Sequence, residues 1–127
     1  MLLFKPFLKP LLIIGAKTQT RRAWSRAMVR AGQVHGCYIR PPFAGGLPFA
    51  FVRIGRVWRQ APTEISAGEV RAEGFSDRRS FLRVLTDAGG GRLPRRLFAV
   101  EFAVLWCALP GRRVSAARMR IAITGVR

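Results

Sequence analysis

Residues 15–22 have the sequence GAKTQTRR and separate a helical pattern from an extended one. Upstream, apolar residues recur with the spacing of a single helical face, at Phe4, Phe7, Leu8, Leu11 and Leu12. Pro6 suits a first helical turn, Pro10 predicts a kink one turn later, and Gly15 is a natural C-terminal stop. We therefore predict a short, kinked helix that ends just before Lys17, followed by an extended TQTRR segment.

Alternating and apolar runs downstream predict three longer strands, at residues 34–40, 49–58 and 97–109. The last run is apolar apart from Glu101, as expected of a strand buried on both faces. Residues 23–31 are predicted to form one or two helical turns, and the PPFAGGLP segment after the first strand is a loop.

Two short helices are predicted between the second and third of these strands. Ser66 and Glu69 have the spacing of a capping box, and Ser76 or Asp77 is expected to cap the second helix. The buried face of that helix consists of Phe81, Leu82, Val84 and Leu85. The turn Glu73-Gly74-Phe75 precedes it, and the basic loop DAGGGRLPRR follows it. This order predicts an α+β chain whose strands close into a small barrel.

The chain has 23 Lys and Arg residues against 6 Asp and Glu residues, a formal net charge of +17. Folding does not need this excess, whereas a polyanionic partner would relieve the repulsion and release counterions. Arginine-rich codon usage would explain the preference for Arg over Lys, but it explains the shortage of acids poorly. An anionic membrane surface could use the same charge, although no run approaches the roughly 20 apolar residues of a membrane span.

The cysteine and histidine content gives no indication of a metal or other cofactor. Cys37 and Cys107 are outside any CxxC pair, and His35 is the only histidine, so we expect it to be structural. A disulfide would require the fold to bring the two thiols together, and two reduced thiols in a cytoplasmic protein are the default expectation. Lys5 and Lys9 interrupt the apolar N-terminal residues, which argues against a secretory signal.

The segment GAKTQTRR resembles the GxKxxTxR motif of ASCH domains. Three further features occur in the order of that family: the apolar helix before the motif, the acidic turn AEGF at 72–75, and the closing strand LFAVEF at 97–102. Together they cover roughly residues 1–105. The chain departs from the family at Gln33, where Asp is common after Gly, and at Pro10.

ASCH domains are similar to PUA domains, which are small barrels associated with RNA. The resemblance implies a small PUA-like β-barrel with two or three short flanking helices over residues 1–109. Residues 110–127 have no counterpart and form a basic C-terminal extension, either an extra strand around residues 119–124 or a flexible arm.

The resemblance implies two functions of different classes. One is a module that binds RNA or a nucleotide in a basic cleft, as a monomer or weak homodimer. The other is an enzyme, because some small ASCH proteins are amidohydrolases that deacetylate N4-acetylcytidine and others are linked to ribonuclease activity. The amidohydrolase set of Lys, Thr and Glu falls on Lys17, Thr20 and Glu73. A ribosome-associated or structural protein is a third class, favoured by the Arg-rich tail.

These three residue types can perform amide hydrolysis if they share a cleft. Burial at the end of an apolar helix would lower the pKa of Lys17 toward the range of a base. Thr20 would attack or orient a water, and Glu73 would move the proton. The alternatives are that Lys17 and Glu73 form only a surface ion pair and that Thr20 is an ordinary strand residue.

Six residues are candidate nucleic-acid contacts: Arg21, Arg22, Trp24, Arg26, Arg30 and Arg40. The four arginines at 21, 22, 26 and 30 are expected to lie close together, with Arg22 binding a phosphate and Arg21 solvated at the surface. Trp24 is the tryptophan expected to stack on a base. Trp58 and Trp106 follow apolar strand runs and are expected in the core.

Overall fold

In the computed structural model, which describes residues 1–108, five strands form one mixed sheet in the order β1-β3-β4-β5-β2. The strands are β1 Leu2–Leu3, β2 Gln19–Arg22, β3 Val34–Tyr38, β4 Ala50–Gln60 and β5 Leu97–Cys107. β1 runs parallel to β3, whereas the other neighbouring strands are antiparallel. The sheet curls into a half-barrel, so the predicted α+β class with a small barrel-like sheet is confirmed.

Three α-helices lie against the sheet: α1 Lys9–Ile13, α2 Ala67–Ala72 and α3 Arg78–Ala88. Short 3-10 turns precede α1 and α2, at Pro6–Leu8 and Pro62–Glu64, and a third follows β3, at Pro42–Ala44. The register of the β4–β5 pair shifts between Phe51 and Val52 and again between Ile54 and Val57. Such bulges increase the local twist, which helps two long strands to follow a curled sheet.

The core consists of two apolar clusters. The larger one joins β1, α1 and the central strands and includes Leu2, Phe4, Leu12, Val52, Ile54, Val100 and Phe102. The smaller one joins α2 and α3 to the start of β5 and contains Ile65, Val70, Phe81, Leu85 and Leu97. Because Phe75 packs against both clusters, the turn between α2 and α3 lies where they meet.

The N-terminal helix differs from its prediction. It begins at Lys9, so Pro10 lies in its first turn, where a missing N–H breaks no helical hydrogen bond. The residues before it form strand β1, which pairs with the edge of β3 and buries Leu2 to 1% exposure. A two-residue strand is too short to produce an alternating pattern, so the sequence showed no sign of it.

The prediction of helical turns in residues 23–31 was wrong, since this segment consists of bends and turns. Val29 is its only fully buried residue, and Met28 is 56% exposed. A short helix without an apolar face has too little packing to offset its nucleation cost.

The helix caps confirm the local predictions. The amide of Glu69 donates to Ser66 Oγ at 3.1 Å, and the amide of Ser66 donates to Glu69 Oε1 at 2.9 Å. Asp77 caps α3 by accepting from the amide of Ser80 at 2.8 Å. Helix α3 continues to Ala88, slightly into the predicted loop.

The two cysteines both lie beside Ala50, Cys37 on β3 and Cys107 on β5. Strands are about 4.8 Å apart, so their Cα atoms are separated by about 10 Å, beyond the reach of a disulfide. Both thiols are free, as expected, and burial raises the pKa of Cys37 to about 12.

No helix within residues 1–108 is long and apolar enough to cross a membrane. The predicted C-terminal extension at 110–127, including the strand candidate at 119–124, lies outside the described residues.

Candidate functional site

Strand β2 sorts the side chains of the GAKTQTRR segment onto two faces of the sheet. Successive residues of a strand point to opposite sides, so Gln19 and Arg21 share one face while Thr20 and Arg22 share the other. The hydrogen bonds follow this division: Arg21 Nη1 donates to Gln19 Oε1 at 3.0 Å, and Arg22 Nε donates to Thr20 Oγ1 at 3.2 Å.

A tight turn after α1 carries Lys17 into the interior. Gly15 adopts a φ of +80°, and the amides of Ala16 and Lys17 both donate to the carbonyl of Leu11, at 2.9 and 3.0 Å. A positive φ of this kind suits glycine, which has no Cβ to clash with the backbone. Lys17 therefore ends up 1% exposed, although it follows a surface helix.

The ammonium of Lys17 is bonded to three acceptors. It donates to the carbonyl of Gln19 at 2.8 Å, to the carbonyl of Glu73 at 3.0 Å and to Glu73 Oε1 at 2.9 Å. Burial lowers the pKa of Lys17, and the opposing charge and hydrogen bond of Glu73 raise it again. The alternative of a surface ion pair between Lys17 and Glu73 was wrong, because both residues are buried.

Glu73 occupies the C-terminal cap of α2, where the chain turns toward α3. The next residue, Gly74, has a φ of +96°, and the amide of Thr18 donates to the carbonyl of Ala72 at 2.7 Å. This bond fastens the turn to the segment that contains Lys17. As a result, Glu73 Oε1 faces Lys17 while Oε2 accepts from Arg21 Nη1 at 3.0 Å.

Arg21 is buried, so the expectation of a solvated side chain was wrong. Besides Glu73 and Gln19, its guanidinium donates to Gln60 Oε1 at 2.9 Å and to Glu69 Oε2 at 2.7 Å. Its fork is therefore occupied by protein acceptors and is not presented to an external phosphate. We refer to Lys17, Arg21, Glu69, Glu73 and Gln60 as the buried network.

Sequence reasoning missed two members of this network. Glu69 was identified only as a capping residue, because the capping-box spacing does not show where its second oxygen points. Gln60 gave no sequence signal, since an isolated Gln at the end of a strand is most often solvated. Both residues reach Arg21 because β4 and α2 come together at β2 in the fold, which the sequence does not show.

A cleft of about 150 Å³ opens beside the buried network. One wall is apolar and consists of Phe4, Leu8, Phe75, Phe81 and Leu85. The polar end contains Lys17, Thr20, Arg22 and Glu73, so the structure brings the three candidate catalytic residues together at one opening. An apolar pocket with a few convergent polar groups is the usual form of a small-molecule site.

Arg22 presents an available cation to this cleft. It is half-buried, its guanidinium carbon lies 4.9 Å from the centre of the Phe4 ring, and Nε is bonded to Thr20. Burial lowers the pKa of Arg22, and the charge of Glu73 partly opposes this effect. Among residues 1–108, no acceptor bonds its two Nη groups, and no carboxylate forms an ion pair with it.

The remaining candidate contacts do not converge on the cleft. Arg26 and Arg30 are exposed and line a shallow depression beside Gln33, whereas Arg40 lies with Lys9 in another. The four arginines expected to lie close together therefore fall into two pairs, with Arg21 and Arg22 at the cleft and Arg26 and Arg30 at the depression.

The three tryptophans are all half-buried. Trp24 packs against Phe98, with ring centres 6.2 Å apart, in a groove that also contains Arg59 and Arg96. Trp58 has the guanidinium of Arg56 at 3.9 Å from its ring centre, and Trp106 packs against Phe51. We expected Trp58 and Trp106 in the core, and the structure buries each of them only in part.

His35 is half-buried, and its Nε2 lies 2.9 Å from Gln33 Oε1. The part of the chain that the structure describes contains no group of three or more His, Cys, Asp or Glu residues able to hold a metal ion.

The fold is similar to three crystal structures. One, from Enterococcus faecalis and of the DUF984 family model, has a TM-score of 0.64 and 18% identity over 85% of this chain and 76% of that one. The ASCH protein of Zymomonas mobilis has a TM-score of 0.60 and 10% identity, over 98% and 92%. The ASCH domain of Lactobacillus crispatus has a TM-score of 0.53 and 18% identity, over 77% and 70%. No protein-family model matches the chain, and no curated protein sequence does.

Proposed function

The chain has the ASCH fold, and from that premise we propose that it binds RNA or a nucleotide, with a base in the cleft and a phosphate at Arg22. The observation that carries the proposal is the state of Arg22. Its guanidinium is partly desolvated at the mouth of an apolar cleft and has no carboxylate partner among residues 1–108. A desolvated, unpaired cation is stabilised by an incoming anion, and arginine suits phosphate because its planar fork binds two oxygens.

The walls of the cleft are suited to a flat, partly polar ring. Phe4 and Phe75 offer aromatic surface, and Thr20 offers a hydroxyl at the polar end. Unpaired bases are typically held by stacking on aromatic side chains and by hydrogen bonds to their edges. The volume of about 150 Å³ is below the range of about 300–1,000 Å³ for drug-sized ligands. The cleft is therefore suited to a base, with the rest of the ligand outside.

The distribution of charge supports the same class of ligand. All six acidic residues lie between Glu64 and Glu101, whereas the first 63 residues have basic residues and no acid. Two of the six, Glu69 and Glu73, are already engaged with Arg21 and Lys17. The net charge of +17 therefore favours attraction of a polyanion over long range.

The test uses a fluorescently labelled single-stranded RNA of mixed sequence, about ten nucleotides long, a length within the usual site sizes. A plot of the logarithm of RNA affinity against the logarithm of salt concentration should have a slope of about −0.7 for each neutralised phosphate. Arg22→Gln should weaken binding about tenfold, the loss typical of one specific arginine contact.

The matched control is Arg83→Gln, which removes the same charge from the exposed face of α3, opposite the buried Phe81 and Leu85. It should change the affinity only slightly. An RNA affinity that does not change with salt would contradict the proposal. So would equal losses of affinity in Arg22→Gln and Arg83→Gln.

A second candidate function is hydrolysis of an acetylated cytidine. It is favoured by the shared cleft of Lys17, Thr20 and Glu73 and by the lowered pKa of Lys17. In this reaction a water oxygen bonds to the acetyl carbon, the bond from that carbon to N4 breaks, and a proton passes to N4. In this proposal Glu73 Oε1, 2.9 Å from Lys17 Nζ, takes a proton from the ammonium and leaves a neutral, basic lysine.

This candidate is tested by incubating N4-acetylcytidine with the protein and measuring released acetate. Wild type and the exposed control Thr18→Val should release acetate at similar rates, whereas Thr20→Val should be about 10²-fold slower. Absence of acetate with wild type, or equal rates in the two variants, would reject the assignment. Cleavage of the labelled RNA in the binding assay would instead indicate a ribonuclease.

A further inference from the structure

A second basic groove lies next to the cleft on the same face of the sheet. It has a volume of about 130 Å³ and is lined by Trp24, Ser25, Arg59, Arg96, Leu97 and Phe98. Its lining contains a hydroxyl and two exposed arginines and no acidic residue. Neither arginine forms an ion pair among residues 1–108. This combination of groups is complementary to a phosphate.

The register of the sheet connects this groove to the cleft. Phe98 on β5 pairs with Arg22 on β2 and with Arg59 on β4, so the three residues form one row across adjacent strands. Paired residues point to the same face, and strands are about 4.8 Å apart, so the two arginine Cα atoms are about 10 Å apart. A dinucleotide spans a distance of this order. No acidic side chain belongs to the row.

Aromatic contacts hold the groove in shape. The guanidinium of Arg59 lies 5.1 Å from the centre of the Phe98 ring, which orients it over the row. Trp24 packs against the same ring from the β2 side, at 6.2 Å between ring centres. Arg59 is therefore partly preorganised, which reduces the entropy lost when it binds an anion.

We propose that this groove binds the phosphate of a nucleotide that flanks the one in the cleft, so that the ligand is a single-stranded nucleic acid. The inference rests on the proposed function, since it takes the base in the cleft as its starting point. The small cleft admits a base only from an unpaired strand, because a base inside a duplex is not accessible. The strand then continues past Arg22 and over Phe98 to Ser25, Arg59 and Arg96.

The experiment compares cytidine monophosphate with the labelled single-stranded RNA, using the double variant Arg59→Gln/Arg96→Gln. The matched control is Arg79→Gln/Arg83→Gln, which removes two charges from the exposed face of α3. The groove variant should bind the RNA about tenfold more weakly, and its salt slope should be shallower by about 0.7 for one lost phosphate. Its affinity for the mononucleotide should equal that of wild type, and the control should keep both affinities.

Each alternative result separates this inference from the proposed function. If wild type binds the mononucleotide but both double variants bind RNA equally well, the second phosphate site is rejected and the function stands. If Arg59→Gln/Arg96→Gln loses as much affinity for the mononucleotide as for RNA, the second phosphate site is also rejected. The groove residues would then contact the nucleotide in the cleft itself. If wild type binds neither probe, the proposed function fails. If phosphatidylserine vesicles bind and depend on Arg59 and Arg96 while RNA does not, the groove serves a lipid surface and the inference is overturned.

Discussion

Arg21 and Arg22 are adjacent in the chain, yet their guanidinium groups have opposite surroundings. Arg21 donates to four side chains, including Glu69 and Glu73, and is sealed inside the fold. Arg22 donates only to Thr20 among residues 1–108 and borders an open cleft. Both arginines line the cleft, but strand alternation turns Arg21 toward Glu69 and Glu73, which occupy its guanidinium, and turns Arg22 to the other face of β2. Among residues 1–108, one of two adjacent arginines is thus neutralised inside the fold, while the other has no carboxylate partner.

The largest effect is expected from Glu73→Gln, because it removes the charge shared by Lys17 and Arg21. Both cations would then be buried without their central partner, which typically costs about 3–5 kcal/mol in the free energy of unfolding. Urea denaturation followed by circular dichroism measures the loss. Asp87→Asn, at an exposed position on α3, removes the same kind of charge and should change the stability by less than about 0.5 kcal/mol. A Glu73→Gln protein as stable as this control would show that the buried network is not a source of stability.

The difference between the surroundings of the two arginines is tested by Arg21→Gln and Arg22→Gln. The first leaves Glu69 without its cation and leaves Glu73 with Lys17 alone, and it should destabilise the fold by about 2–4 kcal/mol. The second removes a cation that has no carboxylate partner in the described chain, so it should cost less than about 1 kcal/mol. The same denaturation assay applies to both variants. Similar losses would mean that strand alternation does not separate the roles of the two arginines.

A smaller effect is expected in the pH dependence of stability, through Lys17. Because its folded pKa is lowered below 10.5, the unfolded chain binds more protons than the folded one between that lowered value and pH 10.5. Stability contributed by this group is therefore complete above pH 10.5 and is lost as the pH falls through the folded pKa. The free energy of unfolding should rise more steeply with pH in wild type than in Lys17→Met, by less than about 1.4 kcal/mol per pH unit. Parallel curves for the two proteins would contradict a desolvated Lys17.

The parts of the fold that follow from local patterns were predictable from the sequence. The long strands β4 and β5, the capping box of Ser66 and Glu69, and the stop at Gly15 each depend on a few consecutive residues. Strand β1 and the irregular segment after β2 were not predictable, since one depends on pairing with β3 and the other on the absence of a surface to pack against.

The candidate site was likewise only partly predictable from the sequence. The sequence by itself determined which residue types the GAKTQTRR segment contains, the excess of positive charge and the resemblance that pointed to Lys17, Thr20 and Glu73. Only the tertiary structure decided that Glu73 bridges Lys17 and Arg21, that Arg22 remains available, and that Phe98 connects Arg22 to Arg59. The reason is physical: composition sets how many charges a chain has, whereas burial and strand pairing set which charges are neutralised inside and which are presented to a ligand.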